Sequence, residues 1–342
     1  MSIPARKPAS TGPSANRPNL PTDYSVRVDK VTVRWQVTRV FRATASFAVA
    51  FLVLIPVIWM GMTAFKSQAD AVASPPKLTF TPNLEGFVSQ FWDHRDVKGE
   101  ELEELRANED DLSWQDKIML DKEMTTTRTS DFALHLRNSL IIASTSTLLS
   151  VGFGLLAAYA FSRFNVPGED DLLFFILSTR MLPPVVVTIP IFLMYRRIGL
   201  YDTHIGMIIL YTAFNLSLSV WLLKGFIDEI PREYEEAALV DGYTRLQAFL
   251  RIVVPQAMTG IATTVVFCFI FAWNEYAFAI MLTSGDARTA PPSLPSKIGV
   301  GTTEWAAIAF GSLVFLIPVV IVTFALRQHL LRGVTFGAIR RG

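Results

Sequence analysis

Six long apolar runs, separated by polar stretches, organise this chain: Ala43–Phe65, Ser139–Ser162, Leu172–Tyr195, Ile205–Phe226, Met258–Leu282 and Ala306–Leu326. A bilayer span needs about 20 consecutive apolar residues, so each run is long enough to cross a membrane. Buried helices of soluble proteins average only about 11–12 residues, which argues against six core helices. The pattern predicts an all-α polytopic membrane protein with six transmembrane helices and a polar helical hairpin, residues 228–257, between the fourth and fifth.

The polar connections are unequal. Residues 1–22, rich in Pro, Ser, Ala and Asn, read as a disordered tail. Residues 66–138 form a long polar segment with an acidic middle that includes Glu100, Glu101, Glu103, Glu104, Glu109, Asp110, Asp111 and Asp116. Within it, D-D-L-S-W-Q-D-K-I-M-L-D-K-E-M predicts a short amphipathic helix with Leu112, Ile118 and Leu120 partly buried. The segment reads as a solvated spacer or a docking surface. Arg163–Asp171, with Pro167 and Gly168, reads as a tight turn.

Charge sets an orientation. Lys and Arg near the spans favour the cytoplasmic side. Arg6, Lys7, Arg17, Arg27, Lys30, Arg34, Arg39 and Arg42 precede the first run, and Arg327, Arg332, Arg340 and Arg341 follow the last. Both tails, 1–42 and 327–342, are therefore expected to be cytoplasmic and segment 66–138 external. Arg196 and Arg197 run against this locally and are outvoted. Nothing apolar precedes Ala43, so the first span is expected to stay as an anchor rather than be cleaved. The net charge of +1 gives no reason to expect nucleic acid as a partner, and the single Cys268 cannot form an intrachain disulfide.

The hairpin is written with helix punctuation. Pro231 suits a first helical turn, and Glu233, Glu235 and Glu236 place negative charge at the positive end of the helix dipole. Gly242 can end that helix in the left-handed conformation. Thr244-Arg-Leu-Gln247 is a capping box opening a second helix, with Leu246, Phe249, Leu250 and Val253 expected on one face and Pro255 stopping it. Two short capped helices form a stiff unit, and stiffness is what force transmission requires.

The same stretch resembles the EAA loop of importers powered by ATP-binding cassettes, through which a permease docks on its ATPase. Glu236, Ala237, Ala238, Gly242, Ile252 and Pro255 hold the motif places, with Val254 where Leu is usual. Asn138-Ser139-Leu140, Ala158-Tyr159-Ala160, Pro190, Trp273-Asn274-Glu275 and the Gly-rich C-terminus are similar to the maltose-type carbohydrate permeases. The likeness covers residues 132–342 and, more loosely, the first span; the acidic insert lies outside it. It implies a permease subunit of the bacterial inner membrane, lodged in membrane lipid and working with a second permease, an ATPase dimer and an external solute-binding protein. It also implies that Glu236, Ala237, Ala238, Asp241, Gly242, Ile252 and Pro255 couple to the ATPase.

Charge inside a span is costly and usually faces a cavity or a partner. Arg180 and Glu275 are the two deepest charges, read as lining a solute path or as structural residues, with Glu275 alternatively an interfacial neighbour of Trp273 and Tyr276. Counted from the span ends, Arg180 lies about 12 Å above the cytoplasmic end and Glu275 about 21–26 Å, which argues against a direct pair unless Pro183, Pro184 and Pro190 bend the third span. Asn215, Ser217, Ser219 and Asn274 are weaker path candidates. Gly154 and Ala158 read as a close helix contact, and Lys224 as a snorkelling residue.

No G-x-x-x-x-G-K-[ST] phosphate loop occurs, no nucleophile motif is present, and His94, His135, His204 and His329 lack metal-ligand spacing. The chain is expected to bind no metal and no cofactor and to catalyse nothing, ATP being used by the partner ATPase. Import of a sugar or polyol is the leading reading. A non-carbohydrate solute such as a polyamine, and a gradient-driven transporter, are the alternatives.

Overall fold

The computed structural model describes residues 25–298 and 303–339, with side chains for 38–298 and 303–329. The reading of residues 1–22 as a disordered tail and the flanking charges Arg6, Lys7, Arg17, Arg340 and Arg341 fall outside these, as do the side chains of Arg27, Lys30, Arg34 and Arg332. Two compact units divide the chain after Ile58.

Helix α1 spans Ser25–Ala64. It starts upstream of the apolar run because no Gly or Pro interrupts residues 25–55. In the first unit its apolar side chains from Val40 to Ile58 are exposed, as for a helix that meets lipid.

The second unit is mainly helical. α5 (Phe132–Arg163), α8 (His204–Asp228) and α13 (Trp305–Ile339) are continuous, and α13 carries the helix well beyond Leu326. Among the described residues, four helices are long and apolar enough to cross a membrane, or six if each of two bent pairs is one span. Gly154 brings α5 and α8 together: a Cβ there would lie 2.4 Å from Ser219 Cβ.

Two of the apolar runs do not form single straight helices. The third run divides into α6 (Glu169–Met181) and α7 (Pro184–Ile198), which meet at 91°. Leu182 and Pro183 each precede a proline, whose ring disfavours the α conformation in the preceding residue. Both are extended, with ψ of 124° and 129°. The fifth run ends as α11 (Met258–Trp273), then restarts as α12 (Ala277–Leu282). A further bend of 73° separates α11 from the hairpin's second arm.

The insert is a packed subdomain rather than a solvated spacer. It comprises α2 (Glu85–Phe91), β1 (Trp92–Asp96), α3 (Glu100–Ala107), α4 (Trp114–Leu120) and β2 (Met124–Thr129). The strands pair antiparallel from Trp92↔Thr129 to Asp96↔Met124, with an irregularity at Asp93/His94. Val97, Leu102 and Leu120 form a small core, with Leu105 and Leu112 against it. Asp116 ties α4 to β2 by accepting from Thr126 N at 2.7 Å and Thr125 Oγ1 at 3.0 Å. Burial raises its pKa, but these bonds and that from Ser113 outweigh it and hold the carboxyl below its ordinary value. Phe87 meets Phe310 of α13 edge-on at 5.3 Å.

A second anchor lies at the same end of α5. Asp202 accepts from Ser284 N and Gly285 N at 3.0 Å each, and from Asp286 N and Ala287 N at 3.2 Å. Asn138 Nδ2 donates to the carbonyls of Asp286 and Arg288, and Ser139 Oγ accepts from Ala290 N. The Asn-Ser pair opening the second run thus fastens the segment that follows α12.

Candidate functional site

The hairpin's first helix, α9, covers Glu233–Val240, with Glu233, Glu235 and Glu236 in its first turn. Gly242 has φ of 89°. Gly242 N donates to Leu239 O at 3.1 Å and Tyr243 N to Ala238 O at 3.0 Å, the paired bonds of a Schellman ending. Two residues on, Thr244 Oγ1 accepts from Gln247 N at 3.2 Å while Thr244 N donates to Gln247 Oε1 at 2.8 Å. Both inner ends of the hairpin are therefore capped by its own residues.

The second arm, α10 (Arg245–Gln256), departs from the expected amphipathic face. A π-helical turn at Phe249–Val253 inserts into it. Such a turn carries more residues than an α turn and shifts the register of the residues beyond it. Phe249 and Val253 are buried, whereas Leu246 and Leu250 stand 63% and 54% exposed. Pro255 lies within the arm's last turn, and Ala257 comes next before α11. Of the motif residues, Glu236, Ala237, Asp241, Gly242 and Pro255 are exposed, Ile252 is half-buried and Ala238 is buried.

Beneath this surface lies a network that the sequence did not disclose. Glu235, buried beside exposed Glu236, forms an ion pair with Arg163, the last residue of α5. Its other oxygen accepts from Tyr159 Oη at 2.9 Å. Arg163 also donates to Ile227 O at 3.2 Å, Ile230 O at 2.9 Å and Ser162 Oγ at 2.9 Å. Arg232 donates to Ser162 O at 2.7 Å. The only sequence signal is a charged residue ending an apolar run three residues after Ala158-Tyr159-Ala160. Lys224, read as snorkelling, pairs with Asp228 at 2.8 Å and Glu169 at 3.3 Å, acids at the ends of α8 and α6.

Further along the helices, Arg180, Asn215 and Glu275 line one cavity of about 200 Å³ with Tyr211, Phe214, Phe271 and Phe278. Depth along straight helices argues against Arg180 and Glu275 as a pair. The break at Leu182–Pro183 and the end of α11 at Trp273 remove the straight-helix geometry on which that estimate relies. They share the cavity through separate partners. The Arg180 guanidinium lies 4.4 Å from the Phe271 ring centre and donates to Phe214 O at 3.3 Å. Glu275 accepts from Tyr211 Oη at 2.8 Å, Phe278 N at 2.9 Å and Ala279 N at 3.1 Å, so it caps α12.

Two neighbours differ from expectation. Trp273 is 1% exposed, donates to Phe315 O and stacks on Phe269 and Phe315, so it is a core residue and not an interfacial anchor. Asn274 is exposed and turns back to Ile270 O at 2.8 Å, away from the cavity lining. Asn215 donates to Cys268 O at 3.1 Å and Ser219 meets Cys268 Sγ at 3.2 Å, so these two also tie α8 to α11, whereas Ser217 donates to Phe214 O within its own helix. The arrangement offers an amphipathic recess with one cation, one carboxyl and several aromatic faces. Among the described residues, no group of His, Cys, Asp and Glu is placed to hold a metal ion.

Comparison with known proteins places this geometry. A family profile described as binding-protein-dependent transport system inner membrane component matches residues 150–336. The trehalose transport system permease protein SugB of Mycobacterium tuberculosis is 36% identical over 212 residues, covering 61% of this chain and 77% of that one. The trehalose/maltose transport system permease protein MalG of Thermococcus litoralis is 27% identical over 304 residues, 88% of this chain and 97% of that one. Among solved structures, a chain of a bacterial ABC transporter involved in the import of the acidic polysaccharide alginate shares the fold. Its TM-score is 0.60 at 20% identity, covering 86% of this chain and 97% of that one. With more than half of its length inside the family profile, this chain belongs to the inner membrane components of binding-protein-dependent transport systems.

Proposed function

We propose that this chain is a permease subunit of an ATP-driven importer for a sugar or polyol, supplying half of the translocation path. The observation that carries the reading is the self-capped hairpin, which presents Glu236 and Ala237 outward while Glu235 fastens it to α5. In this reading a cytoplasmic ATPase dimer receives the exposed Glu236, Ala237, Asp241, Gly242 and Pro255, while Ala238 and Ile252 of the same motif support the hairpin from within. The chain itself binds no ATP. A second permease completes the path, and an external binding protein delivers the solute. The names of the trehalose and trehalose/maltose relatives support the solute class. Arg180, Asn215 and Glu275 form the polar part of the path. Asn274 is left out because it does not line the cavity.

Uptake of a labelled panel of sugars and polyols, with and without this chain, tests the function. One member should depend on the chain, and Glu236→Lys should abolish its uptake at unchanged membrane level. Equal uptake of the whole panel without the chain would reject the reading. Both termini and the hairpin are assigned to the cytoplasm, with residues 66–138 outside. A cysteine at Ser113 should then react with an impermeant thiol reagent in intact cells, and one at Thr244 should not; reversed labelling would invert the topology.

A further inference from the structure

A second cavity, of about 270 Å³, opens at the start of α5, the opposite end from the hairpin. Its walls come from the insert and from the segment between α12 and α13. The insert supplies Gln90, Asp93 and Arg128, α5 supplies His135, and the segment supplies Arg288, Ser293 and Lys297. Roughly 45 Å of helix separates it from Arg163, at 1.5 Å per residue.

The charges on these walls do not cancel. Arg128 is paired with Asp93 at 2.8 Å. Asp131, exposed at the N-cap of α5, is the other carboxylate at the rim. Arg288 and Lys297 form no ion pair among the described residues, and Arg288 donates only a long bond to Pro292 O, at 3.4 Å. Among the lining residues one cationic charge is therefore left over, at a place where two cations converge, with the Glu304 carboxylate, which feels the charge of Lys297, lying outside the lining.

Two buried polar atoms are also unsatisfied. Gln90 is 1% exposed and His135 9%, yet Gln90 Oε1 and His135 Nδ1 have no hydrogen-bond partner among the described residues. Buried polar atoms are almost always bonded, so both have capacity for whatever fills the cavity. Ser293, also buried, adds a hydroxyl. Unpaired cations suit an oxyanion, while an amide oxygen, a ring nitrogen and a hydroxyl suit several alcohols. The volume falls just below the usual ligand-pocket range of about 300–1,000 Å³, a size for one sugar ring.

We propose that this cavity binds a single-ring sugar acid, its carboxylate on Arg288 and Lys297 and its hydroxyls toward Gln90, His135 and Ser293. The site is separate from the Arg180 cavity and does not depend on which solute is transported.

The test uses the full-length chain in lipid nanodiscs, titrated calorimetrically with D-glucuronate, D-glucose and sodium sulfate. Saturable glucuronate binding is expected, at least tenfold tighter than glucose or sulfate. Arg288→Gln and Lys297→Gln should each weaken it about tenfold at an unchanged unfolding temperature, and Arg180→Met should leave it unaltered. Lys297 lies at the rim, so its variant retains the fold even if that of Arg288 does not. Glucose binding as tightly as glucuronate would overturn the proposal, as would sulfate doing so, since that marks an inorganic-anion site. Affinity unaffected by Lys297→Gln would equally overturn it.

Discussion

Arg163 and Glu235 form an ion pair whose side chains are only 6% and 9% exposed, joining the end of a membrane helix to the first turn of the hairpin. Removing one partner of a buried pair strands the other charge and costs about 3–5 kcal/mol, whereas replacing both with apolar side chains is often neutral. Arg163→Met and Glu235→Met should each lower membrane levels and unfolding temperature, and the double variant should recover most of the loss. A single variant as stable as the parent would show that water reaches the pair.

Gly242 is a matter of backbone. A Cβ there would meet nothing within 4 Å, so the cost of a side chain comes from its φ of 89° alone. For a branched residue that cost is about 1–2 kcal/mol. Gly242→Val should therefore loosen the hairpin and reduce ATPase co-purification more than membrane insertion, while Gly242→Asn, which tolerates the left-handed region, should be milder. Equal effects of Val and Asn would point to a steric role at the docking surface instead.

Among the described residues, Arg180 has a carbonyl and an aromatic face as partners and no acid, so its removal strands no buried carboxylate. Arg180→Met should keep membrane levels and ATPase docking normal while depressing solute-stimulated transport. Reduced membrane levels would mean that Arg180 holds helices together; normal transport would remove it from the path.

Asp202 supplies a pH dependence. Burial raises its pKa, but the N–H groups of Ser284, Ala287 and Gly285 outweigh burial and hold the carboxyl below its ordinary value. A depressed pKa means the anchoring is complete above the unfolded value of about 3.9 and disappears as pH falls through the folded value. Amide protection at Ser284 and Gly285, measured against the free-amide rate at the same pH, should be high at neutral pH and be lost only in that acid window. Asp202→Asn should exchange fast already at neutral pH. Slow exchange in that variant would leave the carboxylate without an anchoring role.

Local chemistry was legible in the sequence and long-range chemistry was not. Gly242, Thr244 and Gln247 act on atoms within five residues, so their caps could be read directly. Glu235 and Arg163 lie 72 positions apart and nothing local joins them. The prolines after Met181 marked a bend, but its angle is set by the packing of α6 and α7 against their neighbours. The strands of the insert, W-D-H-R-D and M-T-T-T-R-T, lack apolar alternation, so periodicity could not reveal them. Glu275 looked like an isolated charge because its partners, Tyr211 and two amides, come from another helix and from residues three and four places on.

The bonds of Arg163 radiate to the end of its own helix, to two carbonyls near the end of α8 and to the hairpin. One guanidinium thus fixes the relative position of three segments. A small displacement of the hairpin cannot relax one of these bonds without straining the rest, and packed junctions of this kind switch between discrete arrangements instead of deforming gradually. The junction should behave as a threshold element: below a certain push the helices do not respond, and above it they travel together, which is the response the proposed docking on an ATPase would require.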